Sequence, residues 1–186
     1  PLRDFPPGGL FKRERAAYLL SQALGWPAIP PPVTRDGPHG PGSVQLYVDA
    51  LPDESFFTMR NDDLNAFEPV AAFDVLALNA DRKGGSCLKD DDGAVWCIDH
   101  GLTFNPFARQ RTVMLEFSGR AFSGGIVRSL KELAPRLAPT TELSLALDEL
   151  LFASEPDALR ERLSRLIETP VFPVLDPQMN VPWPYL

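Results

Sequence analysis

The stretch from Leu64 to Phe104 sets the strongest limit on how this chain folds. Leu64, Phe67, Ala71, Val75 and Leu78 recur at steps of three and four, the spacing of one apolar helix face. That helix runs straight into Asn79-Ala80-Asp81-Arg82-Lys83-Gly84-Gly85, a polar loop ending in glycines. Two short strand patterns follow, Ser86–Lys89 and Val95–Asp99, around the turn Asp90-Asp91-Asp92-Gly93. Any fold that accepts this order buries a helix, carries a polar loop off its end, and returns the chain through a hairpin.

The flanks fit an α+β layout with helices gathered toward the C-terminal side. Leu10–Leu24 reads as an amphipathic helix, with Ala16, Leu19, Leu20, Ala23 and Leu24 on one face and Lys12, Arg13, Arg15 and Gln22 on the other. Gly25 and Pro27 mark its end. An extended stretch, Ile29–Arg35, a Gly/Pro loop at 36–42 and the alternating run Ser43–Val48 suggest an antiparallel pair beside that helix. Further helices are expected near Gly124–Leu133, Glu142–Phe152 and Glu155–Ile167, the last with a capping box on Ser154 and Asp157. The tail from Thr169 to Leu186 is rich in proline and aromatics, and reads as a strap anchored by Phe172, Val174, Leu175, Trp183 and Tyr185.

Composition excludes several function classes. With 25 acidic and 18 basic residues the net charge is -7, against a nucleic-acid backbone or anionic lipid as main partner. No apolar run reaches a membrane span, and two cysteines make no disulfide framework, so a reducing, cytoplasmic setting is expected. Cys87 and Cys97 fall on facing strands of the predicted hairpin and read as buried thiols.

Asp81 and Asp99 stand 18 positions apart, one before the hairpin and one after it, so the hairpin can bring both to one end. Phosphoryl transfer uses such a pair: one carboxylate orients the attacking hydroxyl and the other holds a metal on the nucleotide phosphates. Lys83, two positions after the first acid, and the Asp99-His100-Gly101 turn match kinase offsets.

The Ala-Asp-Arg-Lys-Gly-Gly and Ile-Asp-His-Gly-Leu-Thr-Phe segments resemble the catalytic core of the phosphatidylinositol 3-/4-kinase-like superfamily, in the style of type II phosphatidylinositol 4-kinases. They resemble more closely still a bacterial family carrying that domain. The resemblance implies an α+β, protein-kinase-like fold: an N-lobe remnant over 1–48 with helix C and a strand pair, a helical C-lobe over 49–168, and the strap over 169–186. It implies ATP and Mg²⁺ as cofactors and a phosphoryl acceptor that the motifs leave open. Asp81 would be the base and Lys83 a charge stabiliser; Asp99 would be the principal metal ligand. Ser86, where the family pattern has asparagine, would be the second ligand. Glu14 matches the helix-C glutamate that pairs with a nucleotide-holding lysine, and Leu46, Tyr47 and Val48 match the hinge that receives adenine. Phe104 is expected to support the metal loop. The glycine-rich strand pair and its lysine would lie upstream of Pro1. The alternative is a pseudokinase-type module that binds nucleotide or a partner without catalysis.

Overall fold

The computed structural model describes residues 4–5 and 8–186; the first positions of the expected N-lobe piece, 1–3 and 6–7, lie outside the described residues. Among the described residues there are six α-helices and two separate antiparallel strand pairs, an α+β architecture. In chain order these are α1 (Leu10–Leu24), β1 (Pro32–Gly37), β2 (Gly40–Gln45), α2 (Phe56–Met59), α3 (Glu68–Ala77), β3 (Cys87–Lys89), β4 (Val95–Cys97), α4 (Gly124–Leu133), α5 (Glu142–Leu150) and α6 (Glu155–Glu168).

Helix α3 is the axis of the molecule. Its residues from Val70 to Ala77 are all buried, so helices and loops surround it on every side. A 3-10 turn at Leu64–Phe67 precedes it, capped by the Asp63 carboxylate, and Pro69 opens its first turn. The expected helix 64–78 is therefore two pieces. At the far end Leu78 adopts a left-handed backbone, φ 50°, which costs a non-glycine residue roughly 1 kcal/mol or more. That turn redirects the chain into the polar loop.

Helix α1 has the expected ends, with Gly25 left-handed at its C-terminus. It packs against α4 and α5 and lies beside the β1–β2 hairpin. Its polar face departs from expectation, because Arg13 is buried rather than solvated. The Arg13 guanidinium donates to Glu155 at 2.5 Å and lies over the rings of Phe5 and Phe152. Glu155 also accepts the Phe152 N–H, at 3.0 Å. This replaces the expected capping box: Ser154 makes no side-chain cap, and Asp157 instead pairs with Arg160. Arg162, on the same helix, donates to the Leu76 carbonyl at 2.7 Å and so caps the end of α3. Burial pushes the Arg162 pKa down to about 10.

In the first hairpin the strands occupy most of the expected Gly/Pro loop. Pro32 pairs with Gln45 and Gly37 with Gly40, leaving only Pro38 and His39 as the turn. β2 thus ends before Leu46, three residues earlier than the alternation suggested. In the second hairpin Cys87 pairs with Cys97, Leu88 with Trp96, and Lys89 with Val95. Both cysteines are fully buried and free, as expected. Its turn is held by Asp90, which accepts from Ala94 N–H and from the Trp96 indole, each at 2.8 Å.

The tail is a strap tied chiefly by its main chain. Phe122 N–H donates to Pro170, Phe172 N–H to Arg120, and Thr112 N–H to Asn180. Of the expected anchors, Phe172 is buried against Phe117 and Phe122 and Leu175 is half-buried; Val174, Trp183 and Tyr185 face solvent. No helix of the described residues is long and apolar enough to cross a membrane.

Candidate functional site

The site is organised by one buried guanidinium. Arg82 is fully enclosed, and its Nε and Nη2 donate to both oxygens of Asp74 on α3, at 2.8 and 3.0 Å. Its Nη1 donates to the carbonyls of Ser86 and Ile98, at 3.2 and 3.1 Å. Its Nη2 also donates to His100 Nε2 at 2.8 Å. One side chain therefore ties the helix end, both ends of the β3–β4 hairpin and the Asp-His-Gly turn. Burial opposes the charge, but Asp74 outweighs it and keeps Arg82 protonated.

Because arginine has no acceptor, His100 Nε2 must accept, and the ring proton sits on Nδ1, which has no partner. Burial and the neighbouring Arg82 charge hold the His100 pKa well below its ordinary value, so this ring is neutral. It packs edge-on against Phe73. Phe104 is also buried and left-handed, φ 67°, with its N–H on the Ala77 carbonyl, as a support for the loop.

Asp74 also fixes Asn79, whose Nδ2 donates to it at 2.9 Å, and Asn79 Oδ1 in turn accepts the Asp81 N–H at 2.9 Å. Asp81 is thus aimed by a chain of hydrogen bonds that begins inside the core. Its carboxylate pairs with Lys83 at 3.1 Å, both side chains half-buried. Burial raises the Asp81 pKa; Lys83 pulls it back, and the Asp99 charge raises it further. Gly84 follows where no side chain fits, since a Cβ there would fall 2.5 Å from the Phe57 ring.

Asp99 is exposed, left-handed at φ 62°, and joins no ion pair among the described residues. A carboxylate held in that strained conformation is a feature of sites more than of scaffolds. Ser86 is buried in the hairpin frame, its N–H donating to the Lys83 carbonyl and its carbonyl accepting from Ile98, the residue before Asp99. Glu14 reaches the same turn from α1. The N–H groups of His100 and Gly101 face its carboxylate, whereas its Oε2 is buried with no partner. Burial raises the Glu14 pKa above its ordinary 4.5, and Asp99 adds to the effect. The Asp99 charge thus acts on both Asp81 and Glu14, though no three His, Cys, Asp or Glu residues form a metal cage among the described residues.

Leu46, Tyr47 and Val48 stand apart from this group. Leu46 N–H donates to the Pro31 carbonyl, and the Leu46 and Tyr47 side chains are exposed beyond the end of β2. The sequence reading missed Asp74, Arg82 as a hub, and Arg111, which reaches the cavity beside Asp81.

The raised Glu14 pKa carries a pH signature. An acid whose folded pKa exceeds its unfolded value binds more protons when folded, so the stability it contributes is complete below the ordinary value and is lost as pH rises through the folded one. Glu14→Gln is therefore expected to melt higher than the parent at about pH 7 and level with it near pH 4. Equal melting differences at both pH values would contradict the burial of this carboxylate.

Fold and site together define an α+β protein whose titratable side chains concentrate where a buried helix, a glycine-ended loop and a short hairpin meet. No protein-family model matches the chain. It is 34% identical, over 220 aligned residues, to Protein Rv2133c of Mycobacterium tuberculosis (strain ATCC 25618 / H37Rv), an alignment covering 99% of this chain and 78% of that protein. The chain belongs to the family of that bacterial protein.

Proposed function

We propose that this chain carries the metal and acceptor side of a kinase-like phosphotransferase, related to the phosphatidylinositol 3-/4-kinase-like superfamily and using ATP with Mg²⁺. The observation that carries the reading is the meeting of Glu14 with the Asp99-His100-Gly101 turn. A glutamate on the first helix receives the backbone of the acid-x-glycine turn, on the far side of a hairpin from Asp81. The element order supports it too: helix, strand pair, connector, buried helix, polar loop, hairpin, then helices.

In this reading Asp81 accepts the proton of the attacking hydroxyl, and its raised pKa suits that task. Lys83 lies within reach of the transferred phosphoryl group. Asp99 would hold Mg²⁺ with the Ser86 hydroxyl as a second oxygen, and the donor set fits: Mg²⁺ takes one or two protein oxygens and leaves its other positions to phosphate and water. Bound there, the ion neutralises charge on the phosphate oxygens. The orphaned Glu14 Oε2 is the natural partner for a nucleotide-holding lysine. The side chain of Leu46, whose N–H is taken by the Pro31 carbonyl, would offer adenine an apolar wall, and Tyr47 and Val48 would offer backbone groups.

One observation favours a second reading: Ser86 stands where the family pattern has asparagine. A module with a weakened clamp would bind nucleotide without turnover.

Mg·ATP is expected to raise the melting temperature of the protein, and Asp99→Ala to abolish the magnesium-dependent part of that shift. No shift in the parent chain would remove the nucleotide reading, and an undiminished shift in the variant would remove Asp99 as metal ligand.

A further inference from the structure

We propose that the cavity beside Asp81 is an acceptor pocket for a small free hydroxylated anion, a hydroxy acid or a phosphate monoester, with Arg111 holding the anion and Trp183 covering the body. The inference rests on the phosphotransfer reading of Asp81. The cavity holds about 370 Å³, the size of a metabolite site, and Asp81, Lys83, Arg111, Leu102, Pro182 and Trp183 line it.

Arg111 is placed there by main-chain bonds on either side of Asp81. Its N–H donates to the Asn79 carbonyl at 3.1 Å, and its carbonyl accepts the Arg82 N–H at 3.0 Å. Its guanidinium is half-buried and enters no ion pair among the described residues. Lys83 differs, because its ammonium is already paired with Asp81. Arg111 is thus the cation in this cavity left for a ligand, and a planar guanidinium matches a carboxylate or phosphate in two parallel hydrogen bonds. Asp4 also reaches the cavity, but it is exposed and screened by water.

The Trp183 side of the cavity is tied down on both flanks. On one side of Trp183, Asn180 accepts Thr112 N–H at 2.8 Å and donates to the Gln110 carbonyl at 2.7 Å. On the other, the Tyr185 carbonyl accepts Gly84 N–H at 2.8 Å, and the Tyr185 ring meets the indole edge-on. The indole is nonetheless 80% exposed, with Tyr185 as its aromatic neighbour and most of its surface open. A cavity of this volume, with Asp81 and Trp183 both in its lining, favours a compact ligand over a polypeptide or a bilayer surface.

The chemistry balances within the proposal. The acceptor hydroxyl gives its proton to Asp81 while its oxygen bonds to the γ-phosphorus of ATP. The bond to the bridging oxygen breaks, and ADP leaves with that electron pair.

The test uses glycerate and glycerol 3-phosphate as the two anionic probes and glycerol as the probe without an anion, each titrated by tryptophan fluorescence and calorimetry. At least one anionic probe is expected to bind and glycerol not to. Arg111→Ala is expected to weaken that binding about tenfold or more, the loss of a charged hydrogen bond. Trp183→Phe is expected to remove the fluorescence response while calorimetric binding persists. Preference between glycerate and glycerol 3-phosphate distinguishes a carboxylate from a phosphate acceptor. Binding of neither anion, equal affinity in Arg111→Ala, or capture of anionic vesicles in place of both probes overturns the proposal. Mg·ATP is titrated separately: if it fails to bind while an anion still binds through Arg111, the phosphotransfer reading falls and the anion pocket remains.

Discussion

Arg82→Met is expected to cost about 3–5 kcal/mol of folding stability, the range for breaking a buried ion pair by removing one partner. The substitution leaves Asp74 charged and enclosed, and withdraws the donor that serves Ser86, Ile98 and His100. Thermal and urea melts measure it directly. The double variant Arg82→Met with Asp74→Leu is expected to recover a large part of the loss, because no lone charge remains in the core. A single variant within about 1 kcal/mol of the parent would contradict the hub described here.

Asp81→Asn is expected to lower turnover by about 10²–10⁴-fold, the usual contribution of a positioned general base, while Mg·ATP affinity stays within about a factor of two. The amide keeps the size of the side chain and the bond from its own N–H to Asn79, so the loop keeps its shape. Coupled ADP release reads turnover, and calorimetry reads binding. Loss of both in equal measure would make Asp81 a nucleotide ligand and not the group that takes the proton.

The parts of this architecture legible in the sequence are those written in local spacing. α1 was readable at its C-terminal end because Gly25 and Pro27 punctuate it, and the β3–β4 hairpin because two apolar pairs bracket an acidic turn. Asp81, Lys83 and Asp99 were readable as a group for the same reason. Arg13 was not, since its partner Glu155 lies 142 residues away and a helical wheel reports only spacing. Asp74 looked like one acid on an apolar helix; nothing local says that Arg82 will fold back over it. β2 was misplaced because Gly40–Gln45 is held by a main-chain ladder with little side-chain burial, so alternation carried no register information. Arg111 and Trp183 reach the cavity through main-chain bonds between distant segments, which leave no periodic trace.

The Arg82 anchor separates two jobs, holding the loop and meeting what approaches it. Alignment of the 79–85 loop is delegated to a group sealed in the interior, whereas the proposed ligand rim is made of the side chains of Arg111 and Trp183, on which no hydrogen bond of that interior group depends. Redesign of ligand choice can therefore start at the rim, by exchanging those two side chains, with the geometry underneath inherited unchanged.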